Sequence, residues 1–433
     1  MNKKLLKLAF PNIITNLTVP LLSSVDTALM GHLEEAYYLG AIAVGGMIFN
    51  FIYWGFGFLR MGTTGLTAQA YGKKDDRESV FTLARALTTS IGFSILLIVL
   101  KNAIIEVSFL FITSTPEVES FARDYFFIRI LAAPATLSLY VFTGWFLGMQ
   151  NAKYPLILAV ITNSVNIIFN LIFVKVYQMN VDGVAMGTVL ANYTGLITAL
   201  ALFYVSYKRL LHHFNFKALF DWISFRRFFQ IGRDIFIRTL ILVFAFSFFT
   251  AKSAESGDLI LAANSILINL WTIMSYGIDG FAFAAESLIG RYYGAKDIKL
   301  LKTAVNYSFL WGTGLGLLFS LVYTLFSVPI LKIFTDNQQV IILAIQLMFW
   351  TKIAPLISGV CYLWDGVFIG ATATSAMRNM MIISLFVFYL PIYYIFREFL
   401  GAHALWIALT IFMMSRGILL TFQYPRAILK KIS

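Results

Sequence analysis

Long apolar runs, separated by short polar segments, recur along the whole chain. They lie at 86–100, 155–174, 183–205, 235–251, 305–331 and 380–396. A helix that crosses a bilayer needs about 20 mostly apolar residues. Extending each run to the nearest turn signals predicts twelve helices, at 5–30, 39–66, 79–101, 120–147, 154–176, 183–207, 229–252, 258–288, 299–326, 339–368, 375–397 and 403–425. The pattern predicts an all-α integral membrane protein with twelve transmembrane helices.

The composition excludes a soluble protein with buried helices. Only 12% of the residues are charged and 59% are hydrophobic, whereas a soluble domain carries about 25% charged residues. Too few polar residues remain to cover a core of this size. The basic and then apolar amino terminus is similar to a signal peptide, but it has no cleavage signal of small residues, so we interpret it as the first span.

The net charge of +12 comes from basic residues in the loops between apolar runs. If both termini are cytoplasmic, the inside segments hold 22 Lys and Arg residues and the outside segments hold six. Cytoplasmic loops of membrane proteins carry such an excess. The charge therefore predicts a multi-pass protein of the cell (inner or plasma) membrane with both ends inside, and it does not indicate a nucleic-acid partner.

The chain repeats itself at an offset of 222 residues. The stretch AYGKKD at 70–75 is similar to YYGAKD at 292–297, and Gly148 in GWFLGMQNA corresponds to Gly370 in DGVFIGATA. We infer a six-helix lobe at 1–207, a basic cytoplasmic linker at 208–228 and a second six-helix lobe at 229–433. An even number of spans in each lobe makes the repeat parallel, and transporters with such repeats bind substrate near the membrane midplane between the lobes.

Asp26 is a carboxylate within the first apolar segment and has no basic neighbour one helical turn away. An ionisable residue in a span costs about 2.5–3.5 kcal/mol on insertion scales and usually faces a cavity or a partner. Asp26 is therefore a candidate to take up and release a proton, or else it is bonded to a polar group of another helix. Pro11 and Pro20 each remove one backbone hydrogen bond from the same helix and favour a bend.

The predicted fifth helix carries asparagines at a helical spacing. Asn163, Asn166 and Asn170 line one face, and Thr188 near the start of the sixth helix adds a hydroxyl. Amide oxygens suit a hard cation or a hydrogen-bond network. The same residues could equally serve to hold helices together.

Three ionisable residues in separate helices of the second half form a candidate charge network. Arg238, Asp279 and Asp365 have mixed signs, which predicts mutual pairing, with either a structural or a proton-linked role. Further ionisable residues in or near the predicted spans are Arg60, Arg129, Glu286, Lys352 and Arg416.

The sequence lacks the motifs that indicate a catalytic, metal-binding or nucleotide-binding site. It contains no Walker loop, no H-E-x-x-H, no G-x-S-x-G and no cysteine cluster. We therefore expect neither an enzyme, nor a cofactor, nor a resident metal. Without a nucleotide-binding module, uphill transport would be driven by an ion gradient.

Several stretches together resemble a known family. PLLSSVDTALMGHL, LRMGTTGLTAQAYG, GWFLGMQNAKYP, LNLWTIMSYGIDGFAFAAESLIGRYYGAKD and CYLWDGVFIGATATSAMRN are similar to the multidrug and toxic compound extrusion (MATE) family, in particular its DNA-damage-inducible protein F branch. The resemblance covers nearly the whole chain. It implies two six-helix lobes and efflux of organic, often cationic, compounds in exchange for protons or sodium.

The resemblance also implies roles for individual residues. Asp26 matches the first-helix acid that binds the coupling ion, Pro11 matches a proline associated with bending, and Asp365 matches an acid of the tenth helix. Asn166 and Thr188 match polar ligands of the coupling-ion pocket. Many family members have Asp where this chain has Asn170. The loss of that negative charge leaves at most a weak sodium site at Asp26, Asn166, Asn170 and Thr188 and favours protons as the coupling ion.

We therefore predict a monomeric multidrug antiporter that works by alternating access, with small-molecule drugs or metabolites and membrane lipid as its partners. One alternative is a lipid-linked oligosaccharide flippase, a related two-lobe architecture that would need several arginines to hold pyrophosphate. A membrane-embedded enzyme and a passive channel are further alternatives. The first lacks a nucleophile or metal motif, and the second would pass current without saturable exchange.

Overall fold

The computed structural model describes residues 1–30, 36–215, 219 and 221–432, of which 19–30 and 36 are described by their backbone only. In this part of the chain all regular structure is helical. The α-helices are α1 Asn2–Met30, α2 Ala36–Gly55, α3 Gly57–Lys73, α4 Asp76–Val99, α5 Lys101–Phe111, α6 Pro116–Arg129, α7 Ala133–Gly148, α8 Lys153–Leu171, α9 Val181–Tyr207, α10 Trp222–Glu255, α11 Asp258–Gly294, α12 Ile298–Leu325, α13 Ser327–Phe334, α14 Gln338–Gly370, α15 Thr374–Ile383, α16 Leu390–Leu400 and α17 Ala402–Ala427.

The predicted spans are confirmed. Among the described residues, eleven helical segments are long and apolar enough to cross a membrane, at 37–73, 76–99, 116–148, 153–176, 181–213, 222–255, 258–294, 298–325, 338–370, 374–400 and 402–431. They correspond one for one to the second to twelfth predicted helices. Helix α1 lies where the first span is predicted. The protein is an all-α, multi-pass membrane protein of two related six-helix lobes.

Two predicted helices are interrupted. The segment predicted at 39–66 divides at Phe56 into α2 and α3, where two glycines flank the break. The segment predicted at 120–147 contains a 3₁₀ turn at Ile130–Ala132. Pro134 follows this turn and has no N–H to donate to the preceding turn, which accounts for the local change of helix type.

The internal repeat is visible in the backbone. Lys74 and Lys296, 222 residues apart, both adopt the left-handed conformation, with φ of 58° and 56°. The residue after each, Asp75 or Asp297, caps the next helix, and each carboxylate accepts a backbone N–H at 2.9 Å. Gln150 and Thr372 repeat the left-handed conformation at the same offset. The two lobes are therefore built on the same turns.

Close helix packing repeats at the same offset. A Cβ on Gly144 would lie 2.3 Å from the Arg60 carbonyl oxygen, and a Cβ on Gly366 would lie 2.2 Å from the Ala282 carbonyl oxygen. Each lobe thus brings two helices together, α3 with α7 and α11 with α14, at a point where only glycine leaves room for the facing backbone. This packing positions α14, which carries Asp365.

We expect Gly366→Ala to lower the stability of the purified protein by about 1–3 kcal/mol, because the added methyl group meets a rigid carbonyl rather than a flexible side chain. Gly314→Ala is the matched control, since nothing lies within 4 Å of its Cβ position and alanine is the better helix former. Thermal unfolding in detergent measures both variants. Equal unfolding temperatures for the two would contradict the packing argument.

The described residues divide into two compact units. The first-lobe unit contains residues 17–229, and the second-lobe unit contains residues 1–16 and 230–433. In the second-lobe unit the beginning of α1 packs on α11: Asn16 Nδ2 donates to the Tyr276 carbonyl at 3.1 Å, and Ile13 lies against Gly280. The lobe boundaries predicted from the repeat, at 1–207 and 229–433, stay a prediction.

Candidate functional site

In the first-lobe unit, a polar cluster with two buried members joins three of the predicted site residues. Asn170 Nδ2 donates to Asn166 Oδ1 at 3.1 Å, and Asn166 Nδ2 donates to Thr188 Oγ1 at 3.1 Å. Asn170 is fully buried, and Asn166 is 3% exposed. The helical spacing of four residues sets the first contact, and the packing of α8 on α9 sets the second. The structure thus brings Asn166, Asn170 and Thr188 together.

Gly187 allows this contact between helices. A Cβ at Gly187 would lie 2.1 Å from Asn170 Oδ1, so any larger residue would push α9 away from α8. Thr188 is the next residue along α9, and its hydroxyl also donates to the Val184 carbonyl at 3.0 Å. The glycine therefore positions a hydroxyl and two amides within hydrogen-bonding distance of one another.

Two polar residues that the sequence analysis missed extend the cluster. Asn192 Nδ2 donates to the Thr188 carbonyl at 2.8 Å, and Thr136 Oγ1 donates to Asn192 Oδ1 at 3.2 Å. Asn192 lies one turn beyond Thr188 in an otherwise apolar helix, and that spacing was the available signal. We call the connected residues Thr136, Asn166, Asn170, Thr188 and Asn192 the polar track.

The predicted residues of the first helix are described only in part. The side chains of Asp26 and Pro20 lie outside the described residues, so the role of Asp26 stays a prediction. Pro11 is half-buried in α1, and its carbonyl accepts the Thr15 hydroxyl at 2.9 Å. The association of Pro11 and Pro20 with a bend also stays a prediction.

A cluster of charged residues lies buried in the second-lobe unit. Arg238 Nη2 and Arg416 Nη2 both donate to Asp365 Oδ2, the latter at 2.8 Å. The side chains of Arg238, Asp365 and Arg416 are 9%, 8% and 1% exposed. Helices α10, α14 and α17 each contribute one residue to this cluster, which we call the Arg–Asp–Arg cluster.

Asp279 was predicted to belong to this network. It is half-buried on α11 and belongs to the same unit as Arg238, Asp365 and Arg416. Its pairing with these residues stays a prediction. Arg416, which the sequence analysis noted only as an ionisable residue in a span, supplies the second direct partner of Asp365.

The Arg–Asp–Arg cluster has unused hydrogen-bonding capacity. Asp365 Oδ1 and Arg238 Nε make no hydrogen bond to the described residues. Because two guanidinium groups share a single carboxylate oxygen, removal of that carboxylate would leave both buried charges without their partner. This arrangement favours the structural interpretation of the second-lobe network over the proton-linked one.

A further buried ion pair of this unit was missed in the sequence. Asp234, which is 4% exposed, accepts from Arg378 Nη1 at 2.5 Å and from the Thr374 hydroxyl at 3.3 Å. It lies two turns from the predicted linker. Asp234 and Arg378 are 144 residues apart in different helices, so no local pattern in the sequence indicates that they meet.

The fold and these buried polar clusters define a multi-pass helical membrane protein of two repeated lobes, the architecture of a membrane transporter. The MatE family profile matches residues 11–172 and 235–395. The chain therefore belongs to the MatE family, which confirms the resemblance seen in its sequence.

Two relatives match nearly the whole chain. DNA damage-inducible protein F of Escherichia coli K12 is 39% identical over 98% of this chain and 92% of its own length. Multidrug resistance protein NorM of Vibrio cholerae is 25% identical over 96% of this chain and 93% of its own length. Among solved structures, the Vibrio cholerae MATE transporter VcmN in the bent form superposes with a TM-score of 0.85 at 20% identity, covering 99% of this chain and 97% of that one. The structural match shows a shared fold.

Proposed function

We propose that this protein is a secondary active antiporter that exports organic compounds, often cationic, in exchange for protons by alternating access. The observation that carries the proposal is the Asn166–Asn170–Thr188 cluster. Its three side chains are neutral and hydrogen-bonded to one another, and the two asparagines are buried whereas Thr188 is half-buried. The names of relatives support the substrate class: two proteins of 24–25% identity are called multidrug resistance protein or probable multidrug resistance protein NorM.

The side chains of the cluster favour protons over sodium as the coupling ion. Affinity for a hard cation rises with the number of charged oxygen ligands, and Asn166, Asn170 and Thr188 add none. Asn170 Nδ2 already donates to Asn166 Oδ1, which occupies one of the amide oxygens that a sodium ion would need. Asp26 is then the titratable group that carries the proton.

The flippase alternative is less well supported. It needs several guanidinium groups free to hold pyrophosphate, but two of the candidate arginines, Arg238 and Arg416, both donate to Asp365. We propose in addition that the protein works as a monomer in the cell membrane with both termini in the cytoplasm. The excess of Lys and Arg in alternate loops supports this orientation.

Dye efflux tests the proposal. Expression in a bacterial strain that lacks its own multidrug pumps should lower the steady-state accumulation of a fluorescent organic cation, and a protonophore should abolish the difference. Unchanged accumulation with normal membrane expression, together with rescue of a strain deficient in its oligosaccharide flippase, would replace the proposal by the flippase alternative.

A further inference from the structure

Arg129 is a charged residue within the segment 116–148 that crosses the membrane. A guanidinium in a span costs about 2.5–3.5 kcal/mol on insertion scales and is usually paired with an acid. Among the described residues, no carboxylate lies within ion-pair distance of Arg129, in contrast to Arg238 and Arg416. The polar track contains no charged residue either.

Aromatic side chains hold this guanidinium in place. Its Nη1 donates to the Tyr125 hydroxyl at 2.6 Å, and its Cζ lies 4.7 Å from the centre of the Phe49 ring and 5.4 Å from that of the Tyr125 ring. Phe49 is fully buried and Tyr125 is 3% exposed, whereas Arg129 is only half-buried. Cation–π contact with buried rings therefore fixes the position of a charge that is itself only half-buried.

The opposite edge of the guanidinium has no hydrogen-bond partner among the residues that the structure describes. Nη1 donates to Tyr125, while Nε and Nη2 of Arg129 donate to none of these residues. These two N–H groups point in the same direction and form the fork that binds both oxygens of a carboxylate. An open fork, partly exposed and fixed by aromatic rings, is an arrangement suited to an anionic group.

Tyr53 extends the aromatic surroundings of Arg129. It is 8% exposed and stacks on Phe49 with ring centres 5.5 Å apart.

We propose that Arg129 is the residue that binds the carboxylate group of those transported substrates that carry one. This inference rests on the proposed function and assigns a specificity-determining residue to the first-lobe unit. The aromatic rings around the guanidinium suit a carboxylate attached to an apolar or aromatic body.

A matched pair of dyes tests the inference. A xanthene dye can be used as its ethyl ester, which is a cation, and as its free acid, which adds one carboxylate to the same body. Equilibrium binding is measured by fluorescence anisotropy on purified protein in nanodiscs of neutral phosphatidylcholine, which removes anionic lipid as a competing source of the anion. Arg129→Gln should weaken binding of the free acid by about ten- to hundredfold and leave binding of the ester within about twofold.

Lys352→Gln is the matched control because it removes a positive charge from a span of the second-lobe unit, where Lys352 is half-buried. It should leave the affinities for both dyes unchanged. An equal loss for both dyes in Arg129→Gln, or no loss for either, would overturn the inference while leaving the proposed function intact. Wild-type protein that binds neither dye would overturn the proposed function and this inference with it.

A second variant tests the positioning of Arg129 without removing its charge. A Cβ on Gly45 would lie 2.4 Å from Tyr125 Cδ1, whereas nothing lies within 4 Å of a Cβ on the adjacent Gly46. Gly45→Ala should displace Tyr125 with its hydrogen bond to Arg129 and selectively weaken binding of the free acid. Gly46→Ala should leave Tyr125 in place and the affinity for the free acid unchanged. Identical free-acid affinities in the two alanine variants would contradict the proposed site.

Discussion

Asp365→Asn should destabilise the protein by about 3–5 kcal/mol, the cost of breaking a buried ion pair by removing one partner. Arg238 and Arg416 both donate to this carboxylate, and all three side chains are buried. The amide that replaces the carboxylate carries no charge, so two guanidinium groups would remain in an apolar environment without compensation. Thermal unfolding of the purified protein in detergent measures the loss.

Two comparisons make this prediction specific. Glu255→Gln breaks the Lys252–Glu255 pair, in which Glu255 is 64% exposed, and should change stability by at most about 1 kcal/mol. Replacing Arg238, Asp365 and Arg416 together with Leu, Leu and Met should recover much of the stability, because apolar residues of similar volume often replace a buried ion pair without loss. An unfolding temperature for Asp365→Asn equal to that of the wild type would show that the cluster is not structural.

Asp26→Asn should abolish proton-driven drug transport while leaving expression and folding intact. Under the proposed function, Asp26 is the group that binds and releases the coupled proton, and an amide of the same shape cannot do so. The neutral cluster of Asn166, Asn170 and Thr188 offers no second titratable group. Dye movement that follows an imposed pH gradient should therefore fall to the level of empty membranes, whereas equilibrium binding of the dye should persist.

The spans could be predicted from the sequence because hydropathy alone decides which segments enter a bilayer, and each predicted helix after the first coincides with a helical segment of the structure. The repeat could also be predicted from the sequence, because it includes turn residues such as Lys74 and Lys296, whose left-handed conformation recurs. The 3₁₀ turn at Ile130–Ala132 could have been predicted as well, because Pro134 follows it.

The buried contacts were only partly predictable. Asn166 and Asn170 share a helix face by spacing alone, so their hydrogen bond follows from the sequence. Arg416 and Asp365 are 51 residues apart in different helices, and no local pattern indicates that they meet. The open fork of Arg129 depends on the ring of Tyr125 and on Gly45 in a neighbouring helix, and such a placement exists only in the packed structure.

The most direct measurement is dye uptake into inverted membrane vesicles with proton and sodium gradients imposed separately, for the wild type and for Asp26→Asn. The proposed antiport predicts that an acidic vesicle interior drives uptake by the wild type, that a sodium gradient alone does not, and that Asp26→Asn responds to neither. Uptake by the wild type that follows sodium alone, or undiminished pH-driven uptake by Asp26→Asn, would contradict proton coupling through the first helix.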